Sequence, residues 1–154
     1  MKHFKIFLAI VAMSFAAQSC LEYGLEDIDT YEGDAITAAY AYYRYIDKST
    51  TIPASGEYAV KQKQLSASSQ IDASSATCNM TVSIPSNFTD EERNGVNLGA
   101  LVVATQISTA AVIEPVDGSP RLGVPADWTS PHKYKVTAAG GGTKIWTISV
   151  TLNK

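Results

Sequence analysis

From Thr77 to Ile84 apolar and polar residues alternate without a break. Cys78, Met80, Val82 and Ile84 fall on one side, and Thr77, Asn79, Thr81 and Ser83 on the other. A period of two is the spacing of side chains on a half-buried β-strand. The same period returns further on. Tyr134, Val136 and Ala138 alternate with Lys133, Lys135 and Thr137, and Trp146, Ile148, Val150 and Leu152 alternate with Thr147, Ser149 and Thr151. Gly140, Gly141 and Gly142 separate these two runs and permit the positive φ of a tight turn, so the segment 132–152 predicts a β-hairpin.

Weaker runs fill the rest. Residues 35–46 (AITAAYAYYRYI) are rich in tyrosine and β-branched residues and predict a first strand. Alternation puts Tyr40, Tyr42 and Arg44 on one face and Tyr43 and Tyr45 on the other. Residues 58–65 predict a second strand, with Tyr58, Val60 and Leu65 inward and Lys61 and Lys63 outward. Residues 101–106 and 111–115 predict two more. Turn-forming residues occupy 47–56 and 117–120. The Ser/Ala-rich stretch 66–76 reads as a loop with a short strand about Ile71, and 121–130 as an irregular loop holding Trp128. Within 86–100, TDEER predicts a single helical turn capped by Thr89. About seven short strands with no sustained helical period predict an antiparallel β-sandwich, all-β in class.

The first residues break this pattern. Lys2 and Lys5 precede an apolar run from Ile6 to Ala12, which continues loosely to Ala17 and ends at Gln18-Ser19-Cys20. A basic start, a short apolar core and small residues before a cleavage point make a secretory signal, too short to span a bilayer permanently. Ala17-Gln18-Ser19-Cys20 resembles the lipobox of bacterial lipoproteins, with Gln18 departing from the commonest form. The expected organisation is a signal peptide over 1–19, a lipid-anchored tether over 20–34 with Cys20 as the lipidated residue, and one domain over 35–154.

Charge follows that division. Removing 1–19 leaves ten bases against fifteen acids, and six of the acids (Glu22, Glu26, Asp27, Asp29, Glu32, Asp34) stand in 21–34 without a base. Such a run reads as a solvated tether. Acids just after a lipidated cysteine also resemble the signal that sends some Bacteroidetes lipoproteins to the cell surface. Residues 35–154 carry ten bases and nine acids, so no basic field exists to attract nucleic acid. Cys78 is the one cysteine besides Cys20, and no intramolecular disulfide is expected.

The stretch DWTSPHKYKVTAAGGGTKIWTISV resembles the closing hairpin of small immunoglobulin-like domains in Bacteroidetes lipoproteins. There an Asp–aromatic–Ser/Thr loop leads to Pro, a Y-x-V-T-A strand, a glycine turn and a strand centred on Trp or Tyr. VVATQISTAAVIEPVDGSP resembles their middle segment. The resemblance covers most of 22–152. It implies an Ig-like sandwich closed by the C-terminal hairpin and an outer-membrane or surface role near polysaccharide-utilisation genes. It implies no catalytic residue.

Catalytic chemistry is thinly represented. After processing one histidine remains, His132, with no flanking ligand set for a metal and no G-x-S-x-G elbow to pair with it. The glycine triplet precedes a strand, whereas a phosphate loop needs a helix N-terminus. Asp27, Asp29, Glu32 and Asp34 do not match a calcium-loop spacing. No enzyme activity, metal or cofactor is expected. Cys78, alternating with Met80 and Val82, reads as a small buried hydrophobe. The aromatics are the candidate binding elements, because Trp and Tyr rings stack on the C–H faces of sugars. Trp128 beside Asp127 is one candidate site. Tyr40 and Tyr42 with Arg44 form another, and in both cases the competing role is core packing. The expected function is a non-catalytic binding or adhesion module at the envelope, held to the membrane by its lipid, with glycan or another envelope protein as partner. The alternatives are a structural or assembly subunit without a small ligand and, last, a glycan hydrolase.

Overall fold

The alternating runs become ladders. Tyr134 stands opposite Trp146, and Lys133 opposite Thr147, in an antiparallel pair joined by the glycine turn. Gly141 takes the positive φ that the turn needs, 86°, and the Ala138 N–H closes it on the Gly142 carbonyl at 2.8 Å.

The computed structural model describes residues 32–154. The signal segment 1–19, Cys20 and the tether as far as Tyr31 lie outside the described residues. β1 (Ile36–Thr51), β2 (Tyr58–Gln64), β3 (Ser66–Asp72) and β4 (Thr77–Ser83) precede a short helix, α1 (Asp90–Gly95). After a 3-10 turn at Leu98–Ala100 come β5 (Leu101–Ile107), β6 (Val112–Val116), β7 (Pro125–Ala126), β8 (His132–Thr137) and β9 (Thr143–Asn153). One sheet runs β2-β1-β5-β7 and the other β3-β4-β9-β8-β6. The chain crosses from the first sheet to the second at Leu65, which is buried and whose N–H donates to the Ala41 carbonyl at 2.9 Å.

This is an all-β sandwich, with three departures from the expected plan. There are nine strands among the described residues rather than about seven. The segment 66–72 is a full strand, paired with β4 from Ser66↔Ser83 to Asp72↔Thr77. Ala67, Ser69 and Ile71 alternate inward there, but side chains that small give little contrast in hydropathy. The second sheet is also mixed, because β9 runs parallel to β4, with Cys78 beside Ile148 and Val82 beside Leu152.

The interior is filled from both sheets. Cys78, Val82, Val136, Trp146 and Ile148 are fully buried, joined by Met80, Tyr134, Ala41 and Val103. Cys78 is a free thiol pushed up to about 11 by burial, so it packs as a hydrophobe. Three sites share one device. Asp47, Asp72 and Asp127 each accept both the N–H and the hydroxyl of the residue two places on, Ser49, Ser74 and Thr129. A side chain mimicking a backbone turn in this way ends β3 at Asp72 and follows β7 at Asp127, while at Asp47 it accompanies a shift of register within β1. Hydrogen bonds of this kind hold Asp72 down to about 2.

Candidate functional site

β1 is longer than its neighbours. From Ile36 to Tyr42 it pairs with β5, but from Tyr43 onward only β2 accompanies it. A two-stranded ribbon therefore projects beyond the four-stranded sheet. The face of β1 that carries Ala39 and Ala41 into the core carries Tyr43, Tyr45 and Asp47 along the ribbon, with Lys63 opposite Tyr43 and Lys61 opposite Tyr45. The second strand's expected faces are thus reversed at Tyr58, Val60, Lys61 and Lys63, while Leu65 is buried as expected. Tyr58 and Val60 point to solvent, 52% and 62% exposed, and the two lysines line the inner side. Alternation was present, but at an overhang the apolar side need not be the buried one.

Helix α1 closes over this inner side. Thr89 and Glu92 form a reciprocal cap, the Thr89 hydroxyl accepting the Glu92 N–H and the Glu92 carboxylate accepting the Thr89 N–H. Asp90, Glu91 and Glu92 occupy the first turn, where the helix dipole favours acids. Glu92 also receives Lys63, whose ammonium lies 2.6 Å and 2.7 Å from its two oxygens and 5.2 Å from the Phe88 ring centre. Tyr43 reaches the end of the helix, so that a side chain at Gly95 would collide with its hydroxyl.

Between ribbon and helix lies a cleft of about 620 Å³, lined by Tyr43, Tyr45, Asp47, Ser49, Thr89 and Glu91 among others. Tyr43 and Tyr45 are stacked, with ring centres 5.5 Å apart and planes 10° from parallel. Burial and the nearby Glu92 and Glu91 carboxylates raise the Tyr43 phenol. The Lys61 ammonium, 2.5 Å from Asp47, and the Ser49 and Thr50 donors hold the Asp47 carboxyl well below the usual carboxylate range. Lys63 and the Thr89 N–H do the same to Glu92. The arrangement offers an aromatic surface edged by fixed acceptors and by the cations Arg44 and Lys48.

Of the candidate residues read from sequence, only Arg44 reaches the lining of this cleft. Trp128 is 1% exposed, stacked on Tyr134 at 6.3 Å and met edge-on by His132 at 5.0 Å. It plugs the sandwich and presents no ring face to a sugar, which corrects the expected Trp128–Asp127 platform. The reason is local. The Trp128 backbone N–H is fixed to the Leu98 carbonyl, His132 donates to the Asp127 carbonyl, and the Asp127 carboxylate turns back onto Thr129. Tyr40, Tyr42 and Arg44 share the outer face of the four-stranded sheet. Tyr40 donates to Gln106, and Arg44 donates to Gln62 and to the Gly123 carbonyl. Val102, the register partner of Tyr42, is buried, so side chains close over that part of the face. Tyr40 and Tyr42 lie away from the cleft, whereas Arg44 contributes to its lining. Among the described residues no three His, Cys, Asp or Glu side chains gather as a metal site, and no helix is long and apolar enough to cross a membrane.

A family model for DUF5018-related domains matches residues 36–149, from the first strand into the last. The chain belongs to the DUF5018-related family. A solved structure of a presumed secreted protein from Bacteroides fragilis NCTC 9343 is 44% identical, with a TM-score of 0.73, covering 81% of this chain and 99% of that one. A structure from Bacteroides thetaiotaomicron VPI-5482, named as a presumed glycoside hydrolase, is 22% identical over 85% of this chain and 28% of that chain. Its TM-score of 0.46 carries no argument about activity. No curated protein matches the chain. The kinship with Bacteroidetes domains expected from the closing hairpin is met by the Bacteroides fragilis relative.

In this DUF5018-related domain the cleft residues were visible in the sequence as the second tyrosine face of β1 and the TDEER turn. What hid their conjunction was how little of β1 is paired with β5. Pairing with β5 ends at Tyr42, and nothing local to the strand marks that end, so the overhang carrying Tyr43 and Tyr45 is not visible from residues 35–46 alone.

Proposed function

We propose that this protein is an envelope lipoprotein, anchored through Cys20, whose domain is a non-catalytic binding module for glycan. The observation that carries the reading is the Tyr43–Tyr45 stack lying open in a cleft edged by Asp47, Ser49, Thr89 and Glu91. Stacked rings give a sugar an apolar platform, and carboxylates and hydroxyls at its edge accept and donate to the sugar's hydroxyls. Ligand sites commonly combine an aromatic lining with a few placed polar groups. Extracytoplasmic placement draws support from the signal-like segment 1–19 and from the relative described as secreted.

Two of the cleft's three carboxylates support the non-catalytic reading. Glycoside hydrolysis needs one carboxyl held protonated near neutral pH to act as an acid. Asp47 and Glu92 are each engaged by a lysine and shifted the opposite way.

The test is a glycan array probed with the full chain and with Tyr45→Ala. Binding by the parent that disappears in the variant, with an unchanged melting temperature, is the expected result. Equal signals from both proteins would remove the cleft from consideration.

A second reading, an assembly subunit, is favoured by one observation. β3 sits at the edge of the five-stranded sheet and carries neither Lys nor Pro, the usual guards against strand addition.

A further inference from the structure

We propose that two copies of this chain join edge to edge through β3, antiparallel about a two-fold axis at Ser69, so that their five-stranded sheets become continuous. The inference rests on the assembly reading of the β3 edge and names the partner as a second copy.

The observation is a contrast among the four strands that end the two sheets, β2, β7, β3 and β6. β2 carries Lys61 and Lys63. β7 has only two residues, one of them Pro125, and β6 holds Pro115. Lysine, proline and shortness are the usual ways of blocking strand addition. β3 has none of them. Its seven residues pair with β4 from end to end without a bulge, and among the described residues no strand lies along its other side. Ser66, Ser68, Gln70 and Asp72 are all exposed.

The strand also fits a reversed copy of itself. A pairing that keeps inward residues inward must match odd positions with odd. Centred on Ser69, it sets Ala67 opposite Ile71, Ser68 opposite Gln70 and Ser66 opposite Asp72 of the second copy. Asp72, the one charge on the strand, then meets a serine and not its own like. Ala67 and Ile71 are half-buried against the margin of the core, and a second strand covers what they still expose. The contact is isologous, so it closes at two copies. One such edge is small beside the ~1,600 Å² of a standard interface, and the pair therefore forms where the chains are concentrated. Copies held by lipid on one surface meet that condition.

The experiment places the full lipidated chain in phosphatidylethanolamine–phosphatidylglycerol vesicles and oxidises variants carrying one added cysteine. Cys78 is buried and does not compete. Ser69→Cys stands opposite itself across the axis, within disulfide reach. Two copies of Ser68→Cys are offset by two positions and stand outside it. The expected result is a linked dimer with Ser69→Cys and little with Ser68→Cys. Ser68→Lys with Gln70→Lys sets two like pairs across the joint and lowers the Ser69→Cys yield by about tenfold, and Ser68→Lys with Gln70→Glu restores it. Circular dichroism confirms that each variant folds. Equal linking of the two cysteine variants, or linking that the two lysines leave unchanged, would overturn the pairing. A benzophenone attached to Ser68→Cys, photolysed in membranes of the producing bacterium, separates the two readings. A dimer-sized adduct is expected. An adduct only to another protein would overturn the second copy and leave β3 as an assembly edge, and no adduct would overturn both.

Discussion

The indole N–H of Trp146 donates to the backbone carbonyl of Asp34 at 2.9 Å, joining the start of the folded domain to its last strand across 112 residues. The Asp34 carboxylate adds an ion pair to Lys144 at 3.2 Å, so a residue assigned by its charge to the tether is fastened to the domain. Trp146 itself is fully buried in the middle of the second sheet.

Trp146→Ala should destabilise the domain by ~3–5 kcal/mol, the cost of removing a large buried ring. Trp146→Phe should retain most of the packing and lose the hydrogen bond, at ~1 kcal/mol plus the volume change. Urea unfolding of the three proteins checks both figures. Equal midpoints for parent and Trp146→Ala would contradict the burial.

Gly95→Ala places a methyl group against the Tyr43 hydroxyl. Alanine is the better helix former and the ring tip can yield, so the net cost should be about 1 kcal/mol, at the lower end for overpacking. The diagnostic result is coupling. In a Tyr43→Phe background the same substitution should cost roughly half as much, measured by a double-mutant cycle in urea. Strictly additive effects would mean that the two residues do not touch.

Acid should unfold the protein partly through Asp72. Its folded carboxyl is held down to about 2 by Ser74 and then Ser75, against an ordinary value of 3.8. A depressed folded value contributes stability that is complete above 3.8 and is lost as pH falls toward about 2. Asp72→Asn should melt lower than the parent at pH 6 and show a smaller further drop between pH 4 and pH 2. Parallel melting curves across that window would exclude the linkage.

Cys20→Ala should move the protein from the membrane fraction to the soluble fraction of a bacterial host. Retention in the membrane fraction would count against the lipid anchor.

The hairpin of β8 and β9 was legible in the sequence because large apolar residues alternate there with Lys and Thr, and both faces are set by the same pattern. Thr89 was legible as a cap for the same local reason. The parallel pairing of β4 with β9 was not, since nothing within residues 77–83 specifies a partner in 143–153. β3 was missed because Ser and Ala give almost no contrast between faces. At the candidate site the faces of β1 were assigned correctly, with Tyr40, Tyr42 and Arg44 against Tyr43 and Tyr45. Which face meets a cavity depends on where β5 stops pairing, and that is a tertiary fact. Trp128 shows the converse. Its place in a loop suggested exposure, but a loop fixed to Leu98 and closed by His132 delivers the indole inward.

β9 occupies the middle of its sheet, between β4 and β8. Every chain shorter than residue 143 therefore lacks the central rung, and β3–β4 is left as an isolated pair apart from β6–β8. Pairing so distant in sequence is entropically slow. The polypeptide should stay open until its final segment is made available, which is the condition in which a chain can be threaded across a membrane before it collapses.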